Sequence, residues 1–297
     1  DYGEVQQYIH ESIEGAFSWD YEKAEHGTRQ FRELITVFID DEIFCEVQQL
    51  PCSSILPAKS MIIKIANRQL YSAGLWYKLS MFLQQQSIDV VNVSRVDLCA
   101  DFNTFYRGLQ PLTLIKNFLN STYRHIGRGK GGSYFNHFAK RDGKVSRSYL
   151  NYTGLSFGSN ESAARAYLYN KSFELLTVKD KPWIRQLWKQ CGLLNDKENQ
   201  VWRLEISIKS KGMKFKNKDT SDIYCISCSK LESNADISMI YHTFVKSLFS
   251  FIRNRDGITN VSREPRLQLF NGEPYINRCV LQAQSAGNRT ERILIKQ

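Results

Sequence analysis

The alternation of apolar and polar positions divides the chain into short strands and amphipathic helices. FRELITVFID (Phe31–Asp40) and EIFCEVQQL (Glu42–Leu50) read as two strands, and Asp40-Asp41 between them is a hairpin signal. SMIIKIANRQL (Ser60–Leu70) reads as a third strand. Across Ala73–Gln86, Leu75, Leu79, Phe82 and Leu83 fall at helical spacing and predict an amphipathic helix. VVNVSRVDLCADF (Val90–Phe102) is a long strand, and Leu112–Tyr123 a helix. SRSYLNYTGLSFG and ARAYLYNK read as paired strands that turn through Gly158-Ser159-Asn160. A helix follows from Phe173, and Pro182 either breaks it or starts a second one through Trp188. VWRLEISIKSK (Val201–Lys211) is a strand, and Ile237–Arg253 a helix with an apolar face. An acidic helix is expected over Tyr2–Phe17, and the last forty residues show no clear period.

Short strands joined by hairpins and interleaved with helices predict an α+β fold, with a largely antiparallel central sheet flanked by helices. The expected organisation is an acidic N-terminal segment over 1–30, a main domain over 31–211, and a C-terminal region over 212–297. That last region either completes the main domain or carries a recognition function.

With 297 residues, 42% of them hydrophobic and 12% aromatic, the chain can bury a sizeable core. No apolar run approaches the roughly 20 residues that span a bilayer, and the polar, acidic N-terminus does not read as a signal peptide. The first residue is not methionine, as expected of a piece of a longer protein. Seven scattered cysteines fit reduced thiols in a cytoplasmic setting better than a disulfide framework. The net charge of +10 hides an asymmetry. Residues 1–60 carry 12 acidic and 4 basic side chains, and the rest carry 18 acidic and 36 basic. A body that basic points to a polyanionic partner, of which nucleic acid is the commonest.

Three strand segments carry ionisable residues at alternate positions, which places them on one face. Arg95, Asp97 and Asp101 share a face of the first, Arg203 and Glu205 of VWRLEISIK, and Arg165, Tyr167, Tyr169 and Lys171 of ARAYLYNK. Solvated strand faces are usually richer in Thr, Ser, Lys and Gln. If these strands are neighbours, Asp97, Asp101 and Glu205 supply oxygen ligands for a hard divalent cation such as Mg²⁺ or Mn²⁺. Tyr169 then stands beside them as a nucleophile, and Arg165, Lys171 and Arg203 can hold phosphate oxygens. A phenol with an ordinary pKa near 10 attacks a phosphodiester only where phosphorus is made electrophilic and the leaving alkoxide is stabilised. The competing reading is a set of surface ion pairs and packing tyrosines, both common in sheets.

In this order, VSRVDLCADF, LSFGSNESAARAYLYNKSFEL and VWRLEISIK resemble the rolling-circle plasmid replication initiators of the staphylococcal transactivator type, together with related relaxases of conjugative elements. The resemblance covers about residues 90 to 211. It implies a metal-dependent endonuclease that nicks one DNA strand at an origin, single-stranded or in a hairpin, leaving a 5′-phosphotyrosine and a free 3′ hydroxyl. Carried onto this chain, it implies Tyr169 as nucleophile with Lys171 and Arg203 as catalytic partners. Asp97, Asp101 and Glu205 become the metal set. From the residues themselves, Arg95, Arg124, Arg128, Lys130, Arg165 and Tyr167 are the expected DNA contacts. The resemblance also implies a host helicase as partner and a homodimer. The tryptophan-bearing interval Trp183–Trp188 looks like an insertion, and nothing after Lys211 matches the family pattern.

Other features carry less. Tyr167 shares the face of Tyr169 and is a second candidate nucleophile, or a platform for a base. Cys225-Ile-Ser-Cys228 lacks the two further ligands that zinc needs. RHIGRGKGG (Arg124–Gly132) fails P-loop spacing and reads as a basic loop against DNA backbone. The five histidines have no metal-ligand spacing. Two other functions stay open: a non-catalytic operator-binding repressor derived from an initiator, and a tyrosine recombinase, which needs no metal and usually carries its tyrosine on a helix near the C-terminus.

Overall fold

The computed structural model describes residues 17–72, 74–128, 132–141, 144–194, 200–216, 223–255, 260–270, 281–284 and 292–296. The helix expected over Tyr2–Phe17 lies outside them except for Phe17, and so does the DNA contact expected at Lys130. The fold is α+β with antiparallel sheets, as the alternation of strands and helices predicts. The chain forms two compact units, one of residues 1–92 with 290–297, the other of residues 93–289.

In the first unit, strands β1 (Trp19–Lys23), β2 (Phe31–Ile39), β3 (Glu42–Pro51) and β4 (Ser60–Ile65) pair antiparallel in sequence order. The strand Arg292–Lys296 pairs with β4 from the far end of the chain. The β2–β3 turn uses Asp40 and Asp41 with φ of 50° and 59°. Both lie in the left-handed region that a two-residue hairpin turn with the right twist requires, and Asp tolerates it better than most residues. Helix α1 (Leu75–Gln85) buries Leu75, Leu79 and Phe82. Trp19 packs with its ring centre 5.0 Å from Phe44 and 5.2 Å from Phe82, so aromatic stacking joins sheet to helix. The expected third strand stops at Ile65, and a 3₁₀ turn over Gln69–Tyr71 takes up its last residues.

The second unit is built on β5 (Asp89–Phe102), whose last ten residues belong to it. Helix α2 (Pro111–Leu119) follows and stops short of its expected end. Asn120 turns back to accept from the amide of Thr122, Ser121 has a φ of 64°, and the chain leaves as β6 (Tyr123–His125). Then come β7 (Gly132–Arg141), β8 (Lys144–Phe157) and β9 (Ala164–Asn170). Helix α3 (Lys171–Thr177) begins directly after β9, with the Asn170 side chain capping the amide of Phe173 at 2.9 Å. Helix α4 (Pro182–Gln190) starts at Pro182, the first-turn position where a missing N–H costs nothing. β10 (Trp202–Lys209) then enters the sheet between β5 and β9, antiparallel to both, giving the order β5-β10-β9-β8-β7.

The back of this sheet is apolar. Val96, Leu98, Ala100, Leu204, Ile206, Ile208, Ala166 and Leu168 are buried there. After the two-stranded ribbon β11 (Lys214–Lys216) and β12 (Ile223–Cys225) come the short α5 (Cys228–Glu232) and the longer α6 (Asn234–Leu248). The buried Tyr241 of α6 donates from its hydroxyl to the Leu204 carbonyl at 2.9 Å, fixing the helix to β10. The expected helix to Arg253 ends at Leu248, because Phe251–Arg253 forms β13 on β6. Phe249 and Phe251 then pack around Phe157, on whose ring His125 stacks at 3.7 Å. Strand β14 (Leu281–Gln284) pairs with β5. Among the described residues no helix is long and apolar enough to cross a membrane.

Candidate active site

The register settles how the three ionisable strand faces meet. Asp101 lies opposite Arg203, and Arg203 opposite Tyr169. Cys99, Glu205 and Tyr167 form the next row, and Asp97, Ser207 and Arg165 the row after. Directly opposed residues in a sheet project to the same side. Apart from Lys171, which opens helix α3 and is not on β9, the residues that alternation placed on three separate faces therefore share one face of three adjacent strands, with β10 in the middle.

This face is not a solvated one. Asp97, Asp101, Arg203, Glu205 and Lys171 are each at most 3% exposed. Burying ionised groups is tolerable only when they are paired and hydrogen-bonded; Asp97, Asp101, Arg203 and Lys171 are paired, whereas among the described residues Glu205 has the Tyr169 hydroxyl alone. Arg203 donates to Asp101 through Nε (2.5 Å, to Oδ1) and Nη2 (2.6 Å, to Oδ2), a two-pronged pair. Asp101 Oδ2 also accepts from Trp188 Nε1 of α4 at 2.7 Å. Arg95 forks onto Asp97, with Nη2 2.8 Å from Oδ2 and Nε 3.0 Å from Oδ1. Lys171 pairs with Glu174 one helical turn on, and its ammonium sits 5.6 Å from the centre of the Tyr169 ring. The Tyr169 hydroxyl donates to Glu205 Oε2 at 3.1 Å.

These surroundings alter the proton affinities. Burial, and next the negative charge of Asp97, push the Glu205 carboxyl up to about 7. Burial, and next Glu205, hold the Tyr169 phenol well above its ordinary value. Burial, and next the charge of Arg203, bring the Lys171 ammonium down to about 8. Lys181, just before α4, is lowered by burial as well.

Arg165 lays its guanidinium 4.5 Å from the centre of the Tyr167 ring and bonds the Asn160 side chain from the β8–β9 turn. Its Nε has no hydrogen-bond partner among the described residues. Arg124 and Arg128 lie elsewhere in the unit, on β6 and just after it. The carboxylates divide unequally as candidate ligands. Both oxygens of Asp101 are engaged by Arg203 and one of them also by Trp188, and both oxygens of Asp97 are engaged by Arg95, whereas among the described residues Glu205 meets only the Tyr169 hydroxyl. Among the described residues no group of three or more His, Cys, Asp or Glu stands close enough to form a ready metal set.

Sequence reasoning missed Trp188, Glu174 and Lys181. The Lys171–Glu174 spacing of one helical turn was a usable signal. Nothing local linked Trp188 to Asp101, 87 positions away.

No protein-family model matches the chain, and no curated protein does. Among solved structures it is similar to a rolling circle replication initiator protein from Geobacillus stearothermophilus, with 12% sequence identity and a TM-score of 0.45, over 87% of this chain and 82% of that one.

Proposed function

We propose that the protein is a metal-dependent DNA strand transferase that nicks one strand through Tyr169, in the manner of a rolling-circle initiator or relaxase. The observation that carries this reading is the Tyr169–Glu205 hydrogen bond, set within a buried row of carboxylates and cations on one sheet face. A phenol held in protonated form cannot attack phosphorus unless a base takes its proton during the attack. Glu205 is the group that touches that proton. The Tyr169 oxygen–phosphorus bond forms as the phosphorus–O3′ bond breaks. The phenolic proton passes to Glu205, and the departing 3′ oxygen takes one from Lys171. The products are a 5′-phosphotyrosine and a free 3′ hydroxyl. Arg165, with its free Nε donor, steadies the phosphate.

The donor chemistry fits Mg²⁺ or Mn²⁺. Asp97 and Glu205 are buried near enough for one to raise the proton affinity of the other, a repulsion that a hard dication relieves. Asp97 and Glu205 are the residues proposed to hold it, and when bound it supplies charge neutralisation at the phosphate. Asp101, held by Arg203 and Trp188 together, is proposed to anchor Arg203; like Asp97, which Arg95 holds, it would bind the ion only by loosening its arginine. A host helicase, a homodimer and a cytoplasmic setting belong to the same reading.

Asp97 and Asp101 are each forked onto an arginine, which favours a second reading: a DNA-binding repressor that keeps the sheet and does no chemistry. Covalent trapping separates the two. The protein is incubated with labelled single-stranded oligonucleotides from its own locus, with Mg²⁺, Mn²⁺ or EDTA, and run on a denaturing gel. A metal-dependent adduct that Tyr169→Phe removes supports the transferase. DNA binding with no adduct from any strand of the locus supports the repressor.

A further inference from the structure

A second cationic feature lies where β9 begins and β10 ends, in the same unit as Tyr169 but away from it. A cavity of about 680 Å³ is ringed by Arg128, Lys211, Lys214, Lys216, Lys246 and Arg266, and among the described residues no carboxylate lines it. Phe215 and Phe244 form part of its wall, their ring centres 5.1 Å apart and edge-on. On the Tyr169 face, Arg203, Arg95 and Lys171 each meet a carboxylate. Here Arg128, Lys211, Lys214 and Lys216 form no ion pair among the described residues.

The backbone builds this ring; it is not a chance of long side chains. The Arg128 amide donates to the Ser247 carbonyl at 2.6 Å, and the Ile126 amide to that of Ser250 at 2.9 Å. Gly127 lies so close to α6 that a Cβ would stand 2.5 Å from the Leu248 carbonyl oxygen. On the opposite wall, a Cβ on Gly212 would stand 2.8 Å from the Ala163 carbonyl oxygen. Both glycines permit approaches that a side chain would block. Lys214 and Lys216 alternate on β11, with Phe215 between them.

Arg128, Lys211, Lys214 and Lys216, with no ion pair among the described residues, give this concavity a positive potential that a polyanion would complement. A positive groove with aromatic side chains is the arrangement that grips a single nucleic-acid strand, the cations on phosphates and the rings against bases. We propose that this pocket binds single-stranded DNA flanking the nick. The inference rests on the DNA-transferase reading. Ala163 precedes Tyr169 by six residues along an extended strand, about 20 Å at the usual rise, too far for the pocket to hold the phosphate that Tyr169 attacks.

The test uses the whole protein and a fluorescent single-stranded oligonucleotide, with anisotropy read across a salt series. The triple variant Lys211→Ala/Lys214→Ala/Lys216→Ala is compared with Lys59→Ala/Lys179→Ala/Lys189→Ala, which removes equal charge outside the pocket. The pocket triple should weaken binding tenfold or more, and lower the magnitude of the log-affinity against log-salt slope by about 2, since each neutralised phosphate of a single strand contributes about 0.7. The control triple should lose less than threefold. Phe215→Leu should weaken binding about fivefold with the salt slope unchanged, through lost stacking. Equal losses in the two triples would reduce the pocket to diffuse charge and overturn the proposal. So would an equal loss on duplex DNA, or competition by polyglutamate as strong as by DNA of the same charge. Adduct formation on a short oligonucleotide that covers only the cleavage site is read in parallel. If the pocket triple loses affinity while no adduct ever forms, the transferase reading fails and the pocket stands. Normal adduct with normal affinity removes the pocket alone.

Discussion

Tyr169 and Glu205 are diagonal neighbours across the β9–β10 pair, and the phenol donates to the carboxylate at 3.1 Å. Each alters the other. Glu205 makes the phenol harder to ionise, and the hydrogen bond favours the charged form of the carboxylate. Tyr169→Phe removes the attacking oxygen and leaves the ring and its packing against Lys171. The expected result is loss of covalent adduct on the order of 10³-fold or more, with DNA affinity within about twofold of the parent. A denaturing gel and an anisotropy titration on the same preparation check both halves.

Glu205 also makes stability depend on pH, and the sign is definite. Its folded affinity of about 7 lies above its ordinary value of 4.5, so the folded state holds the proton more tightly. The carboxyl imposes no penalty below about 4.5. The penalty grows as pH rises to about 7, reaches on the order of 3 kcal/mol, and stays there above. Lys171 acts at the other end: its penalty is present below about 8 and is relieved as pH rises from there towards 10.5. In EDTA, urea unfolding should show stability falling between pH 4.5 and 7, and Glu205→Gln should flatten that stretch. Added Mg²⁺ should raise the melting temperature more at pH 8 than at pH 6, because only the ionised pair of carboxylates holds the ion well.

How much of this could be read from the chain depends on the range of each interaction. Period-two alternation is local, so Arg95, Asp97 and Asp101 were legible on one face, as were Arg165, Tyr167 and Tyr169. Strand neighbours are not local: β10 inserts between β5 and β9 through pairings about 40 and 100 residues apart in sequence, and only its register brings Tyr169 next to Glu205. The contact of Asp101 with Trp188 was not legible, because Trp188 sits 87 positions away in a segment that reads as an insertion. Helix ends failed where a short polar residue turned the chain, as at Asn120-Ser121. Lys211, Lys214 and Lys216 gave no signal, since spaced lysines most often mark a solvated face and only their backbone setting makes a pocket.

The Asp101–Arg203 pair predicts a stability effect that separates anchoring from metal binding. Both side chains are at most 2% exposed. Asp101→Asn leaves a buried guanidinium without its counter-charge, and breaking such a pair costs about 3 kcal/mol or more. Urea unfolding in EDTA should show that loss. If instead the variant unfolds like the parent in EDTA and loses only the stabilisation that Mg²⁺ gives, Asp101 serves the metal and another group holds Arg203.

Tyr167 is the last claimant to the nucleophile's role, and its surroundings argue against it. Its row partner is Glu205, yet the hydroxyl bonded to that carboxylate belongs to Tyr169. The Tyr167 ring lies instead under the Arg165 guanidinium, 4.5 Å from its centre. That contact needs the ring and not the hydroxyl, and is worth roughly 0.5–2 kcal/mol depending on exposure. Tyr167→Phe should therefore keep adduct formation within about threefold of the parent, while Tyr167→Ala, which frees Arg165 to wander, should lower it further and weaken DNA binding. A Tyr167→Phe protein that makes no adduct, beside a Tyr169→Phe protein that does, would exchange the two assignments and put Arg165 over the reacting ring.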